Sequence, residues 1–267
     1  MTADAAMQAA ADLLFRCWQE GWKLPALPDD MQPRTRADGY AVQAFLEHRS
    51  TSPLFGWKIA ATSLAGQAHI GVDGPLAGRI LQERVVEPGG TISLKGNLMK
   101  VAEAEFAFRM VEDLPPRPAD YTVEQVMAAA GTLHPAIEVP DSRYEDFVTA
   151  GEAQLLADDA CAHLFVLGEA TKTDWRSVDL VGFAPQAVVR RSGQVVMDRT
   201  GSGANVLGDP RLALTWLANE LSRLGITLRA GEVVTTGTCM VPLAVEAGDQ
   251  VHVDFGELGQ VQVGFSN

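Results

Sequence analysis

Thiols are scarce in this chain of 267 residues: Cys17, Cys161 and Cys239 stand far apart and form no C-x-x-C pair. That spacing excludes a disulfide framework and a thiolate zinc site, and it suits a reducing compartment. Basic charge is also in short supply, with 21 Lys and Arg against 34 Asp and Glu and a formal net charge of −13. Binding nucleic acid through its phosphates, or an anionic membrane surface, needs the opposite sign. A small anionic substrate stays open, because one lysine, arginine or metal ion can dominate a single pocket. No apolar run approaches the ~20 residues that cross a bilayer. The stretch "MTADAAMQAAADLLFRCW" has no basic segment followed by an apolar one. A secretory signal is therefore not expected, and a bacterial-type cytoplasmic location is. There is no G-x-G-x-x-G after a strand, no P-loop, no internal repeat and no low-complexity tract.

The elements that remain describe an α+β protein rather than a regular β–α alternation. Residues 3–22 read as an amphipathic helix with Ala9, Leu13, Cys17 and Trp18 on one stripe. A second helix is expected over 34–49, after Pro33. "PLFGWKIA" (53–60) reads as a buried strand, followed by a short helix with Thr62 as cap and Gly71 as stop. Short strands separated by "EPGG" and "LKGN" turns fill 79–110. "TVEQ" (122–125) is a capping box before a helix ending near Gly131. "LHPAIEVP" is a strand, a helix is expected around 151–161, and "HLFVLG" is a strand. Asp209 caps a helix with Pro210 in its first turn and Gly225 at its end. "VHVDFGELGQVQVGF" alternates around a Gly-rich loop as a hairpin does. The expected organisation is an N-terminal helical region, 1–52, packed on a β-rich body, 53–267.

Chemistry enters at "VAEAEFAFRM", residues 101–110. Read as a strand, one face carries Val101, Glu103, Glu105, Ala107 and Arg109, and the other Ala102, Ala104, Phe106, Phe108 and Met110. The second face is a core face. The first sets two carboxylates roughly 6.5–7 Å apart along the strand, close enough to converge on one cation. Without a positive partner they repel each other. Taken alone the pattern also fits a solvated outer face, so other residues must decide. In "HPAIEVPDSRY" a third carboxylate, Glu138, shares a strand face with His134 and Ala136. Three carboxylates without thiols or paired imidazoles suit a hard cation, Mg²⁺ or Mn²⁺; a charge at a strand end is the alternative for Glu138. Lys58, between Trp57 and Ile59, is either a partly buried ammonium that needs an anionic partner or one that snorkels from a strand end.

Seven motifs, in order, resemble the 2-keto-4-pentenoate hydratase / 4-oxalocrotonate decarboxylase branch of the fumarylacetoacetate hydrolase superfamily. They are "GWKIAATS", "GVDGP", "VAEAEFAF", "PAIEVPDSR", "LADD" with "FVLG", "LGDPRLALTWLANEL" and the run from "TTGTCMVPLAVEAGD" to "QVHVDFGELGQVQVGF". The resemblance covers nearly the whole chain from about residue 54. It implies a β-rich roll with an N-terminal helical part. It implies one divalent cation, Mg²⁺ or Mn²⁺, on Glu103, Glu105 and Glu138, Lys58 as the catalytic lysine, and Thr238 near the substrate, where relatives usually carry serine. It implies a small 2-oxo acid substrate, a role in aromatic catabolism and a homo-oligomer.

Two positions depart from the family pattern. Hydratases of this branch commonly carry an acid directly after the proline of "GVD-x-P", where this chain has Leu76; Asp73 is the nearest other acid in sequence. Asp159 stands in "LADD", where relatives often read Asp-Asn. The leading expectation is hydration of 2-hydroxypenta-2,4-dienoate. The alternatives are decarboxylation of a vinylogous 2-oxo diacid, C–C hydrolysis of a diketo acid, and a non-catalytic partner subunit of such an enzyme.

Overall fold

Residues 2–267 are described by a computed structural model. Six helices lie at α1 Ala3–Glu20, α2 Arg36–Ala44, α3 Leu64–Ile70, α4 Val123–Ala129, α5 Glu152–Ala157 and α6 Pro210–Arg223. The strands begin with β1 Gly56–Ala60, β2 Leu76–Ile80, β3 Val85–Val86, β4 Thr91–Ser93, β5 Val101–Met110, β6 Ala130–Val139 and β7 Leu164–Leu167. They continue with β8 Gln186–Arg191, β9 Gln194–Thr200, β10 Val233–Thr238, β11 Leu243–Ala244, β12 Asp249–Asp254 and β13 Gln260–Ser266. One sheet runs β2-β1-β10-β5-β6-β7-β3, with β11 also on β5, and curls into a half-barrel. The other runs β4-β13-β12-β8-β9. The fold is the α+β roll that the resemblance implies.

The long strand β5 explains why the sheets stack. Its even-numbered face is fully buried, and Phe106 meets Phe255, in the loop that joins β12 to β13 of the second sheet, with ring centroids 5.0 Å apart. Phe108 meets Trp175 at 5.4 Å. Burying side chains of this size stabilises by ~1.5–3 kcal/mol each, so this face fixes the register of β5. Its odd-numbered face, with the glutamates, is thereby turned to the inside of the half-barrel. The N-terminal helices are held by a separate cluster in which Ala10, Ala11 and Leu14 of α1 meet Val42 of α2 and Ala157 of α5.

Four local expectations change. The second helix stops at Ala44, and a separate short turn covers Glu47–Arg49. The cap of α3 is Ser63, whose hydroxyl accepts from the Gly66 amide, while Thr62 is buried against β10. The helix expected over 151–161 ends at Ala157, because Asp159, Ala160 and Cys161 turn left-handed. The β8–β9 hairpin, missing from the sequence reading, forms around Ser192 and Gly193, both at positive φ. No helix among the described residues is long and apolar enough to cross a membrane.

Candidate metal centre and its lysine

Cross-strand pairing, not sequence spacing, assembles the site. Glu103 on β5 stands directly opposite Glu138 on β6, and Glu105 opposite Ala136. Ligand oxygens of Glu103, Glu105 and Glu138 all lie within 4.8 Å of one another. Lys58 on β1 pairs with Thr235 on β10, which pairs with Ala107 on β5, so the lysine reaches the same interior face. Glu105 and Glu138 are buried; Glu103 keeps some solvent contact although protein crowds its carboxyl as densely as the other two.

Each carboxylate is held differently. One oxygen of Glu105 accepts hydrogen bonds from the Thr235 hydroxyl and from the Gly237 amide, the latter at 2.9 Å. Its other oxygen, Oε1, has no hydrogen-bond partner. Gly237 sits at φ +95°, and a Cβ there would lie 2.3 Å from the Thr62 hydroxyl oxygen, so only glycine lets this amide reach Glu105. Lys58 Nζ lies 3.0 Å from Glu138 Oε1, near enough for an ion pair but off the hydrogen-bond direction, so both Glu138 oxygens lack a hydrogen bond. Lys58 instead donates to the Ala160 carbonyl at 2.8 Å.

Buried carboxylate oxygens without partners are expensive. Glu105 Oε1 and both Glu138 oxygens are left this way, and with a Glu103 oxygen within 4.8 Å of them they form a donor set that fits one hard divalent cation. The protons show the same conflict. Burial first, then the charge of Glu138, pushes Glu103 up to about 7 against the opposing pull of Lys58. Burial likewise raises Glu105 and Glu138. Burial works against the Lys58 charge, but Glu138, Glu103 and Glu105 outweigh it and raise the ammonium above its ordinary value.

A pH dependence follows. These carboxyls ionise near 4.5 in an unfolded chain, whereas Glu103 keeps its proton to about 7 in the fold. The metal-free fold therefore binds more protons than the unfolded chain between those values, and its stability falls as pH rises through them. Asp159, raised to about 7 by burial, acts in the same sense. The Tm of chelator-treated protein is expected to drop between about pH 5 and about pH 8, and added magnesium to raise it most at the upper end. A metal-free Tm that climbs over this range contradicts the clustering of unpaired carboxylates.

The remaining sequence candidates lie as follows. Thr238 pairs with Glu105 across β10 and β5, but its hydroxyl donates to the Met240 carbonyl at 2.8 Å. His134 is taken up by Gly168 and Thr132, each at 2.8 Å. Leu76 is fully buried and opposes Ala60, two residues from Gly78, which opposes Lys58; it therefore shares the lysine's strand face. Asp73 is exposed. Sequence reasoning passed over Thr235, Gly237 and the Ala160 carbonyl. The "TTGT" run marks the first two as a strand end with a glycine, but their approach to Glu105 is a pairing that no local pattern contains.

No family model matches the chain. Among characterised proteins, the 2-keto-4-pentenoate hydratase of Paraburkholderia xenovorans (strain LB400) is 32% identical over 265 residues, which is 97% of this chain and 95% of that one. The 4-oxalocrotonate decarboxylase of Pseudomonas sp. (strain CF600) is 30% identical over 249 residues, 91% of this chain and 90% of that one. The solved structure of 4-oxalocrotonate decarboxylase from Pseudomonas putida G7, complexed with magnesium and adipate, superposes with a TM-score of 0.86 at 28% identity, covering 99% of this chain and 98% of that one.

Proposed function

Because this chain belongs to the 2-keto-4-pentenoate hydratase / 4-oxalocrotonate decarboxylase branch of the fumarylacetoacetate hydrolase superfamily, we propose that it is a divalent-metal-dependent lyase of small 2-oxo acids. The observation that carries this reading is the cluster of the Glu103, Glu105 and Glu138 carboxylates, with Glu105 Oε1 and both Glu138 oxygens unpartnered and the Lys58 ammonium beside them. A magnesium or manganese ion held by these three residues supplies a Lewis acid toward the carboxylate and 2-oxo group of a substrate. The chain supplies the rest. Thr235 and Gly237 hold Glu105 in place. Lys58 has three N–H donors; Ala160 takes one and Glu138 stands near a second. The third has no acceptor among the described residues and is free to hold, or to give, a proton at the substrate. Assembly as a homo-oligomer belongs to the same reading. The sheet edge β9 exposes Val195 and Val196 by 49% and 51%, and sedimentation velocity checks it.

Leu76 separates the two reactions that the relatives' names suggest. Hydration of 2-hydroxypenta-2,4-dienoate needs one group to move a proton to the far end of the dienoate and another to activate water. Decarboxylation of a vinylogous 2-oxo diacid needs less: CO₂ leaves its electron pair in the conjugated enolate, and one proton from Lys58 restores the 2-oxo acid. The strand face of Lys58 offers Gly78 and fully buried Leu76, and no further acid on β2. This favours decarboxylation and makes hydration slow. Parallel assays of the purified protein on both substrates test it. A positioned acid is typically worth ~10²–10⁴-fold, so Leu76→Asp is expected to raise hydratase turnover measurably and to leave decarboxylation nearly unchanged. Fast hydration by the unaltered protein overturns this assignment, and absence of turnover on either substrate overturns the lyase reading.

A further inference from the structure

Three successive side-chain-bearing residues, Asp159, Ala160 and Cys161, have φ values of 55°, 51° and 61° and are all buried. Left-handed backbone is rare outside glycine and occurs as single residues. A buried run of three persists only where its surroundings over-determine it, and such strain gathers at functional sites. Here the surroundings are named. The Asp159 carboxylate accepts the Arg79 amide of β2 at 2.6 Å. The preceding residue, Asp158, is ion-paired with buried Arg143 and accepts the Ser142 hydroxyl at 2.6 Å. The Cys161 carbonyl accepts the Asp141 amide at 3.0 Å, three residues beyond Glu138. On the other side, Gly78 makes room: a Cβ there would lie 2.4 Å from the Asp159 carbonyl oxygen and 3.0 Å from Lys58 Cδ.

What this turn delivers is the Ala160 carbonyl, 2.8 Å from Lys58 Nζ. We propose that the Asp159–Cys161 turn is a lysine clamp, with Asp159 as the positioning residue that keeps the ammonium shared between the Ala160 carbonyl and Glu138. In an ordinary right-handed turn that carbonyl would point elsewhere. Lys58 would then settle on Glu138 alone, fully committing the carboxylate that the cation needs. The inference rests on the reading of Lys58 as the proton-handling group.

The test is a double-mutant cycle with a spectroscopic readout. A misplaced catalytic group costs up to ~10²-fold. Asp159→Ala, which removes the acceptor for the Arg79 amide, is expected to lower kcat by about tenfold to a hundredfold with KM changed less than about twofold. Asp159→Asn keeps the acceptor and the tolerance for left-handed backbone, and is expected to restore activity. In a Lys58→Met background, Asp159→Ala should change the residual rate less than about twofold. Equal losses in both backgrounds, or failure of the asparagine to rescue, overturn the clamp; the latter would make Asp159 a proton carrier in its own right. The second readout needs no substrate, so it stands even if the lyase reading fails. Of the five lysines, Lys23, Lys58, Lys95, Lys100 and Lys172, Lys58 should give a slowly exchanging ammonium signal in ¹⁵N spectra. That signal is expected to keep its position in Asp159→Asn and to shift in Asp159→Ala, or in Gly78→Ala should the former not fold, as the Ala160 carbonyl is replaced by Glu138. Its absence from the wild type, or an unchanged position when the turn is disturbed, overturns the proposal.

Discussion

Glu138→Gln is expected to weaken magnesium binding by on the order of a hundredfold or more, beyond the ~10–100-fold that loss of a supporting outer contact costs. The side chain keeps its length and still offers an oxygen toward Lys58, 3.0 Å away in the native site. What disappears is one of three negative charges, and a hard cation depends on that charge. The fold should survive, because the substitution also relieves the repulsion that raises Glu103. Calorimetric titration of the chelator-treated protein at about pH 8, above the value of about 7 to which Glu103 is pushed, measures the change. Unchanged affinity would mean that the cation binds elsewhere or rests on Glu103 and Glu105 alone. Turnover at saturating magnesium should fall as well, since a neutral ligand leaves the cation a weaker centre for the substrate's anionic end.

Lys58→Ala should lower kcat by ~10²–10⁴-fold, the range for one positioned proton-transfer group. KM should change less, because the substrate's carboxylate is expected to be held mainly through the metal. Removing a buried ammonium also leaves Glu138 without its ion-pair partner, which in a metal-free protein costs ~3–5 kcal/mol. The variant is therefore best compared at saturating magnesium. Lys58→Met, which fills the same volume, separates loss of the proton from collapse of the cavity. If either variant retains full activity, Lys58 is a structural counter-charge and the proton comes from another group, with Asp159, a buried carboxyl next in sequence to the Ala160 carbonyl that holds Lys58, the first candidate.

The share of this site that the sequence carries is uneven, for physical reasons. Alternation along "VAEAEFAFRM" separates a core face from an acidic face, because strand side chains alternate whatever the tertiary context. The buried Phe106 and Phe108 follow that pattern. Whether the acidic face meets water or a closed interior depends on the curl of the sheet, and no local pattern states it. The opposition of Glu103 and Glu138 is likewise a matter of register between strands more than thirty residues apart; resemblance to a family anticipates it, and spacing does not. The turn after α5 was out of reach altogether. "LADDACA" reads as helix because alanine and leucine favour helix, and only Arg79, Arg143 and Gly78, all distant in sequence, force its backbone left-handed. Leu76 lies at the opposite extreme: its departure is visible as a single letter, and the structure adds that it is buried on the lysine's strand face.

The central claim is that Glu103, Glu105 and Glu138 share one divalent cation. Crystals grown with manganese and measured near its absorption edge test it most directly. The account predicts a single anomalous peak per chain in contact with all three carboxylates, with Lys58 still on the Ala160 carbonyl. A peak at another place, or none at the triad with Glu138 turned fully onto Lys58, would contradict it.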